Sequence, residues 1–220
     1  MRGRRARGRG PRCGRPASGL SGVCHGDGVR APCRDISSEG FWSGYERSVR
    51  QRGPFLKLWV RRSRCRRCRS SHALVPSFCL VGRLDVVEVI GAVLTAVVGA
   101  ARVVRPLAEE ADVPHTTARD WVRRFGRRPA MVAAAFAAVV VEVAGLAPAL
   151  GAPARMAHHA LAVNDAAFAA VAARAGPALA SLWCFVALVT GGRLLATNTN
   201  PLSIVLGRRR LIVPVPDTDR

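Results

Sequence analysis

Residues 104–125 read VRPLAEEADVPHTTARDWVRRF, and this stretch has the spacing of two short helices joined by a sharp turn. Ala108 provides the small side chain that lets two helices pack closely, and Asp112 and Val113 form the predicted turn. Asp112 stands where glycine is usual, because the turn favours a left-handed residue, which Asp tolerates better than most. Pro114 then opens the second helix, since its missing N–H has no partner in a first helical turn. The spacing is typical of a helix-turn-helix.

The second of these helices divides into an apolar face and a polar face. Ala118, Trp121, Val122 and Phe125 recur at helical spacing and are predicted to face the core. The other side chains point outward, and most are of types that contact bases or phosphates. The predicted DNA-binding residues of this helix are His115, Thr116, Thr117, Arg119, Arg123 and Arg124. An ordinary amphipathic helix pair with a solvated basic face is the alternative interpretation.

The charge of the chain favours a polyanionic partner. The formal net charge is +20 over 220 residues, and the first 69 residues hold 19 of the 34 basic residues against four acids. Most of the polyanion contact is therefore predicted near the N-terminus. Thirty-three of the 34 basic residues are Arg, as a GC-rich coding sequence would produce, so codon bias explains part of this preference.

The two ends of the chain are predicted to lack regular structure. Residues 1–32 are rich in Arg, Gly and Pro with few apolar side chains, which predicts a disordered basic arm. This arm either follows a phosphate backbone or is translated from upstream of the true start. Residues 193–220 are predicted to form an irregular tail. The Arg-rich start is not followed by the apolar run of a signal peptide, so the predicted location is cytoplasmic and nucleoid-associated.

Residues 33–76 have the layout of a zinc ribbon. A β-hairpin is predicted from Phe41–Arg50, a turn at residues 51–54 and Phe55–Arg62. After it, Cys65 and Cys68 form a CxxC pair, a spacing that grips one zinc ion from a tight turn. Arginines surround this pair and are predicted to contact phosphates, among them Arg64, Arg66 and Arg67.

The ligand set for one structural zinc is incomplete. Cys33 begins a second knuckle, but Ile36 stands where its second Cys belongs and cannot bind metal. Cys33, Cys65 and Cys68 supply three thiolates. The fourth ligand is His72, Cys24 or His25, with His72 preferred; alternatively the ribbon is degenerate and holds no metal.

Helices are predicted for most of the remaining chain. A helix over residues 83–102 is the first of three in a helix-turn-helix domain spanning residues 83–128. Residues 129–192 form an Ala-rich helical region, with candidate helices at 131–147, 154–175 and 177–190. The predicted fold class is mainly α, with a small N-terminal β zinc-ribbon-like hairpin, a trihelical helix-turn-helix core and Ala-rich helices after it.

The Ala-rich region raises a membrane alternative, because residues 131–151 are about long enough to span a bilayer. Glu142 near the middle of this stretch makes insertion costly, so a membrane is not a predicted partner. No cluster of convergent carboxylates, P-loop or nucleophile elbow is evident, and the chain is not predicted to be an enzyme.

Several segments resemble a bacterial family. GFWSGYERSVR, WVRRSRCRRC, SHALVPSF, RLDVVEVIGAVL, RPLAEEADVPHTTARDWVRRF and TGGRLLATNTNP are similar to a domain-of-unknown-function family from GC-rich bacteria. Its members join a zinc ribbon to a helix-turn-helix and are similar to the DNA-binding N-terminal part of insertion-sequence transposases. The resemblance covers roughly residues 33–200, implies Cys33, Cys65 and Cys68 as zinc ligands, and departs from the family pattern at Ile36 and Asp112.

These observations predict a DNA-binding protein of transposase-related type. The helix-turn-helix would read duplex DNA, and the basic zinc-ribbon-like module would contact phosphates. A transcriptional regulator, a membrane-associated Ala-rich helical protein, and a nuclease or transposase with an unrecognised catalytic part are the alternatives. DNA is the predicted partner, a second copy of the chain is a further candidate, and no small-molecule substrate is expected.

Overall fold

Six α-helices and a set of short antiparallel strands make up the described part of the computed structural model. It describes residues 13–17, 21–26, 29–33, 41–64, 71–73, 75–148, 155–175, 181–196, 203–206 and 209–212. The predicted mainly helical class with an N-terminal antiparallel hairpin is confirmed.

The predicted hairpin is present and begins where the sequence places it. Strand β4 (Phe41–Arg50) pairs with β5 (Phe55–Arg64), which in turn pairs with β6 (Ser71–Ala73). In its register Tyr45 lies opposite Val60, and Val49 opposite Leu56. Val49 and Val60 are fully buried, and Val49 belongs to the same buried cluster as the helices.

Strands also lie at both ends of the chain, where no regular structure is predicted. Strands β1 (Cys13–Ala17), β2 (Ser21–Gly26) and β3 (Val29–Cys33) form an antiparallel sheet within and just beyond the predicted disordered arm. In the predicted tail, β7 (Ser203–Leu206) pairs with β8 (Arg209–Ile212). The apolar residues of β7 and of the end of β8 suit strands, because Ile, Val and Leu fit a pleated strand. A ladder of backbone hydrogen bonds also forms with few apolar side chains, as in β1–β3.

The helices follow the predicted order with somewhat different bounds. They are α1 (Val87–Leu94), which continues as a π-helical turn (Thr95–Gly99), α2 (Val104–Glu110), α3 (His115–Gly126), α4 (Pro129–Ala144), α5 (Met156–Ala175) and α6 (Leu182–Val189). Helix α4, for example, begins two residues earlier than predicted and ends three residues earlier. Among the residues described, no helix is both long and apolar enough to cross a membrane.

Helix α1 starts later than predicted because the hairpin occupies the residues before it. The Arg50 N–H donates to the Leu84 carbonyl at 2.8 Å, and the Val86 N–H donates to the Arg50 carbonyl at 3.1 Å. These bonds fix an extended backbone just before the helix. At the other end, Ala101 has a φ of 52°, which no helix continues through.

One hydrophobic core joins the hairpin to the helices. It contains Val49 of β4 together with α1, α3 and α6, and the rings of Phe136, Phe168 and Phe185 meet within it. The Phe136 and Phe185 rings lie edge to face with centroids 6.1 Å apart, and the Phe168 and Phe185 centroids are 5.7 Å apart. The segments predicted as separate ribbon and helical domains therefore share buried side chains.

Candidate nucleic-acid interface

Helices α2 and α3 are joined by a tight turn at the position that the sequence predicts. The Val113 N–H donates to the Ala108 carbonyl at 2.9 Å, and Ala108 is buried. Asp112 takes the left-handed conformation with a φ of 52°. Pro114 precedes the first residue of α3, and its carbonyl accepts from the Ala118 N–H at 3.1 Å. Proline thus fixes the extended entry to α3 and does not form its first turn.

Three of the four residues predicted for the apolar face of α3 are buried, and the fourth, Val122, is partly buried and packs against the core. Ala118, Trp121 and Phe125 are each at most 1% exposed, and α3 packs against both α1 and α2. Leu107 and Ala111 of the α2 segment are also buried. Because α3 is held from behind along its whole length, its outer face has a fixed orientation.

Four of the six predicted DNA-binding residues of α3 lie on its exposed face, and two do not. His115, Thr116, Arg119 and Arg123 are exposed, and we call these four residues the α3 stripe. Thr117 and Arg124 are half-buried: Thr117 lines the pocket beside the loop before α1, and Arg124 donates a hydrogen bond to Asp120. Helical periodicity alone places both residues outward and does not register these neighbours.

Asp120 binds two of the arginines of α3. Its carboxylate accepts hydrogen bonds from Arg123, one turn ahead, and from the Nε of Arg124, while Arg83 Nη1 lies 3.7 Å from Oδ2. The hydrogen bond from Arg124 holds the pKa of Asp120 below its usual range, against the smaller opposing effect of burial; that from Arg123 adds to the lowering. Arg119 has no hydrogen bond or ion pair among the described residues. It is therefore the stripe cation most available to a ligand.

A pocket of about 420 Å³ lies beside α3, between its N-terminal half, residues 82–85 and Arg50. Arg50 and Arg83 line this pocket, and neither is among the residues predicted from the sequence. Arg83 has its pKa lowered, first by burial and then by the charge of Arg124, while Asp120 opposes this shift. Arg50 forms an ion pair with Asp85, with Arg50 Nε 2.6 Å from Oδ1. Asp85 therefore balances the charge of Arg50, whereas Arg83 shares Asp120 with Arg123 and Arg124, and its Nε is buried without a hydrogen-bond partner among the described residues.

The hairpin and the α2–α3 turn lie next to each other. A Cβ added to Gly53 at the hairpin tip would lie 2.8 Å from Oδ2 of Asp112. Gly53 has a φ of 94°, so the tip conformation itself favours glycine. Further along β4, the guanidinium of Arg47 donates to the carbonyls of Leu80 and Arg83. These contacts hold the hairpin beside the N-terminal end of α3.

The predicted zinc-binding and phosphate-binding side chains lie outside the described part of the structure. Cys65, Cys68, Arg66 and Arg67 fall between β5 and β6. For three others, only the backbone is described: Cys33 in β3, Arg64 in β5 and His72 in β6. Among the side chains that are described, no group of three or more His, Cys, Asp or Glu is suitable for a metal ion. The zinc site stays a prediction.

No protein-family model, curated protein or solved structure matches this chain. The case for its function therefore depends on the exposed side chains of α3 and of the hairpin. Both surfaces are cationic, and the charge of the whole chain, +20, has the same sign.

Proposed function

We propose that this protein binds duplex DNA through a helix-turn-helix formed by α1, α2 and α3, with α3 as the recognition helix. The observation that carries this proposal is the α3 stripe. Arg119 there is exposed and has no hydrogen bond or ion pair among the described residues, and the opposite face of the helix packs into the core. The major groove of DNA admits one α-helix, and a helix held from behind enters it in one orientation.

The chemistry of the stripe suits base and phosphate contacts. Arg119 has a guanidinium that pairs with O6 and N7 of guanine through two parallel hydrogen bonds. His115 and Thr116 lie in the first turn of α3, the end that reaches base edges in helix-turn-helix complexes. Arg123 is 58% exposed and hydrogen-bonded to Asp120, so it offers a fixed positive charge suited to a phosphate.

The basic zinc-ribbon-like module is the second part of this proposal. Arg64, Arg66 and Arg67 would contact phosphates without selecting sequence. One zinc ion held by Cys33, Cys65, Cys68 and His72 would stiffen the connection between β5 and β6, since His72 lies opposite Ser63 in that ladder. Elemental analysis tests the ion: we expect about one zinc per chain, lost in Cys68→Ser and kept in Cys184→Ser. Less than a trace of zinc in the unaltered protein would contradict the proposed zinc site.

More specifically, the proposed role is transposase-related, and the proposed location is the cytoplasm, at the nucleoid. The alternative role is that of a transcriptional regulator that binds DNA in the same way. Inverted repeats flanking the gene would favour a mobile element, whereas a palindrome upstream of it would favour a regulator. A palindromic target would also indicate that two copies of the chain bind together, because operator symmetry mirrors protein symmetry.

Selection of bound sequences from a random duplex library tests sequence recognition. For the selected site, we expect Arg119→Ala to weaken binding by about 1–3 kcal/mol, which is roughly 5- to 150-fold, and to relax the preference at one base pair. Arg174→Ala is the matched control, because Arg174 is an exposed arginine on α5 and its removal changes the net charge equally. Anisotropy titrations at two salt concentrations separate sequence recognition from the salt-dependent effect of net charge.

The proposal fails if no duplex is enriched at physiological salt. It also fails if Arg119→Ala and Arg174→Ala weaken binding equally, because binding would then follow net charge alone.

A further inference from the structure

The two faces of the β4–β5 hairpin differ in what they bury. Residues opposite each other in its register share a face, so Val60 shares one face with Tyr45, which is 37% exposed, and Trp59 shares the other face with Glu46. Val60 is fully buried, whereas Trp59 is 67% exposed. A tryptophan this exposed on a regular strand is unusual, because the indole is the largest apolar side chain.

Trp59 is held against the sheet by a glycine. A Cβ at Gly44 would lie 2.6 Å from Cε2 and 3.0 Å from Cζ2 of the Trp59 indole, closer than real Cβ atoms approach. The indole therefore rests on the Gly44 backbone, and only glycine leaves space for it there. With one side of the ring against the backbone and most of its area in solvent, Trp59 forms a flat, pre-positioned apolar platform.

Cations flank this platform. Lys57 and Arg61 lie two residues to either side of Trp59 on the same strand face, about 7 Å away along the strand, and both are exposed. Lys57 also lies 3.3 Å from Glu46, an ion pair open to solvent. Residues 41–73 contain ten Lys and Arg residues against Glu46 alone. Such a charge repels a second copy of the same surface and attracts a polyanion.

We propose that the open face of the β4–β5 hairpin binds single-stranded DNA, with an unpaired base stacked on Trp59 and the adjoining phosphates near Lys57 and Arg61. Exposed aromatic rings on a basic strand surface bind single strands in this way, since every base has a π-face. In a duplex the base faces are covered by their neighbours, so this surface is distinct in its ligand from the α3 stripe. The inference does not rest on duplex recognition by α3.

Titration of the full-length protein with fluorescein-labelled (dT)20, and separately with a 20-base-pair duplex, tests the inference. We expect Trp59→Ala to weaken (dT)20 binding by about 5- to 150-fold, the range for losing one stacked base, and to leave duplex affinity within about twofold. Trp59→Phe keeps a ring and is expected to lose less. Quenching of tryptophan emission by (dT)20 is expected to diminish in Trp59→Phe.

Leu188→Ala is the control, because Leu188 is 45% exposed on α6 and its truncation also removes exposed apolar area. It is expected to leave (dT)20 binding unchanged, and thermal melts confirm that every variant is folded. Unchanged (dT)20 affinity in Trp59→Ala would overturn the proposal. So would an equal loss of single-strand and duplex binding, or a dimer of the unaltered protein that Trp59→Ala dissociates in sedimentation.

Discussion

The ion pair between Arg50 and Asp85 joins the hairpin to the helical part of the fold, and its removal is expected to destabilise the protein strongly. Asp85 is 2% exposed and Arg50 is 15% exposed, with Nε 2.6 Å from Oδ1. The backbones of the same two residues also form a bridge. Asp85→Ala would leave the Arg50 guanidinium largely buried without its counter-charge.

Breaking a buried pair from one side costs about 3–5 kcal/mol. For a chain of this length each kcal/mol lowers the melting temperature by about 2–4 °C, so Asp85→Ala is expected to lower it by roughly 6–20 °C. The matched control is Glu46→Ala, which removes the same kind of interaction with Lys57 at 74% and 57% exposure. That exposed pair contributes less than about 1 kcal/mol, because water screens it and both side chains lose entropy.

Thermal and urea unfolding followed by circular dichroism measure both changes. A double variant, Arg50→Met with Asp85→Leu, is expected to recover most of the loss, since two apolar side chains leave no buried charge unpaired. If Asp85→Ala lowers stability no more than Glu46→Ala does, burial does not determine the strength of this pair and the argument is wrong.

Gly91→Ala is expected to cost about 1–3 kcal/mol, because a Cβ there collides with the Trp183 indole, while Gly126→Ala, with nothing within 4 Å, is expected to stabilise by about 0.4–1 kcal/mol. Urea unfolding measures both variants: the midpoint is expected to fall for Gly91→Ala and to rise for Gly126→Ala. Shifts of the same sign in both variants would refute the packing argument. Asp120 contributes stability that is complete above its ordinary pKa, near 4, and is lost as pH falls through its lowered native pKa. The stability difference between the protein and Asp120→Asn should therefore narrow below about pH 4; a constant difference from pH 7 to 2 would contradict it.

Local patterns were enough to predict the hairpin and the α2–α3 pair. The runs at residues 41–50 and 55–62 and the turn at residues 51–54 predicted both strands of the hairpin, with only the end of β5 extending two residues further. The Asp112 turn, and the bounds of α3 to within one residue at each end, followed from residues close together in the chain, whose preferences need no distant partner.

Local sequence patterns did not predict the contacts between segments that are distant in the chain. The predicted helix over residues 83–102 loses its first turn because Arg50, more than 30 residues away, pairs with Asp85 and the backbone around it. Helical periodicity is unbroken through these residues, so nothing local signals the change. Arg83 lies in the same non-helical segment before α1, and this places its guanidinium 3.7 Å from Asp120 of α3.

The pairing of Asp120 did have a local signal. Arg123 and Arg124 follow it at i+3 and i+4, the spacings at which side chains on a helix meet. Arg123 and Arg124 are therefore not independent cations, as the predicted DNA contacts assume. The correction matters for function, because it leaves Arg119 as the stripe arginine with no partner among the described residues.

The shared core holds the α3 stripe and the open face of the β4–β5 hairpin in a fixed position relative to each other. Val49 of the hairpin and Trp121 of α3 belong to the same buried cluster, and the hairpin tip lies against the α2–α3 turn. Two binding surfaces joined by packing, and not by a flexible linker, lose little further freedom when both engage one nucleic acid. A junction of duplex and single strand offers both ligands at once. If both proposals hold, the protein should bind such a junction more tightly than either ligand alone, and Asp85→Ala, which loosens the hairpin, should reduce that advantage while preserving the separate affinities.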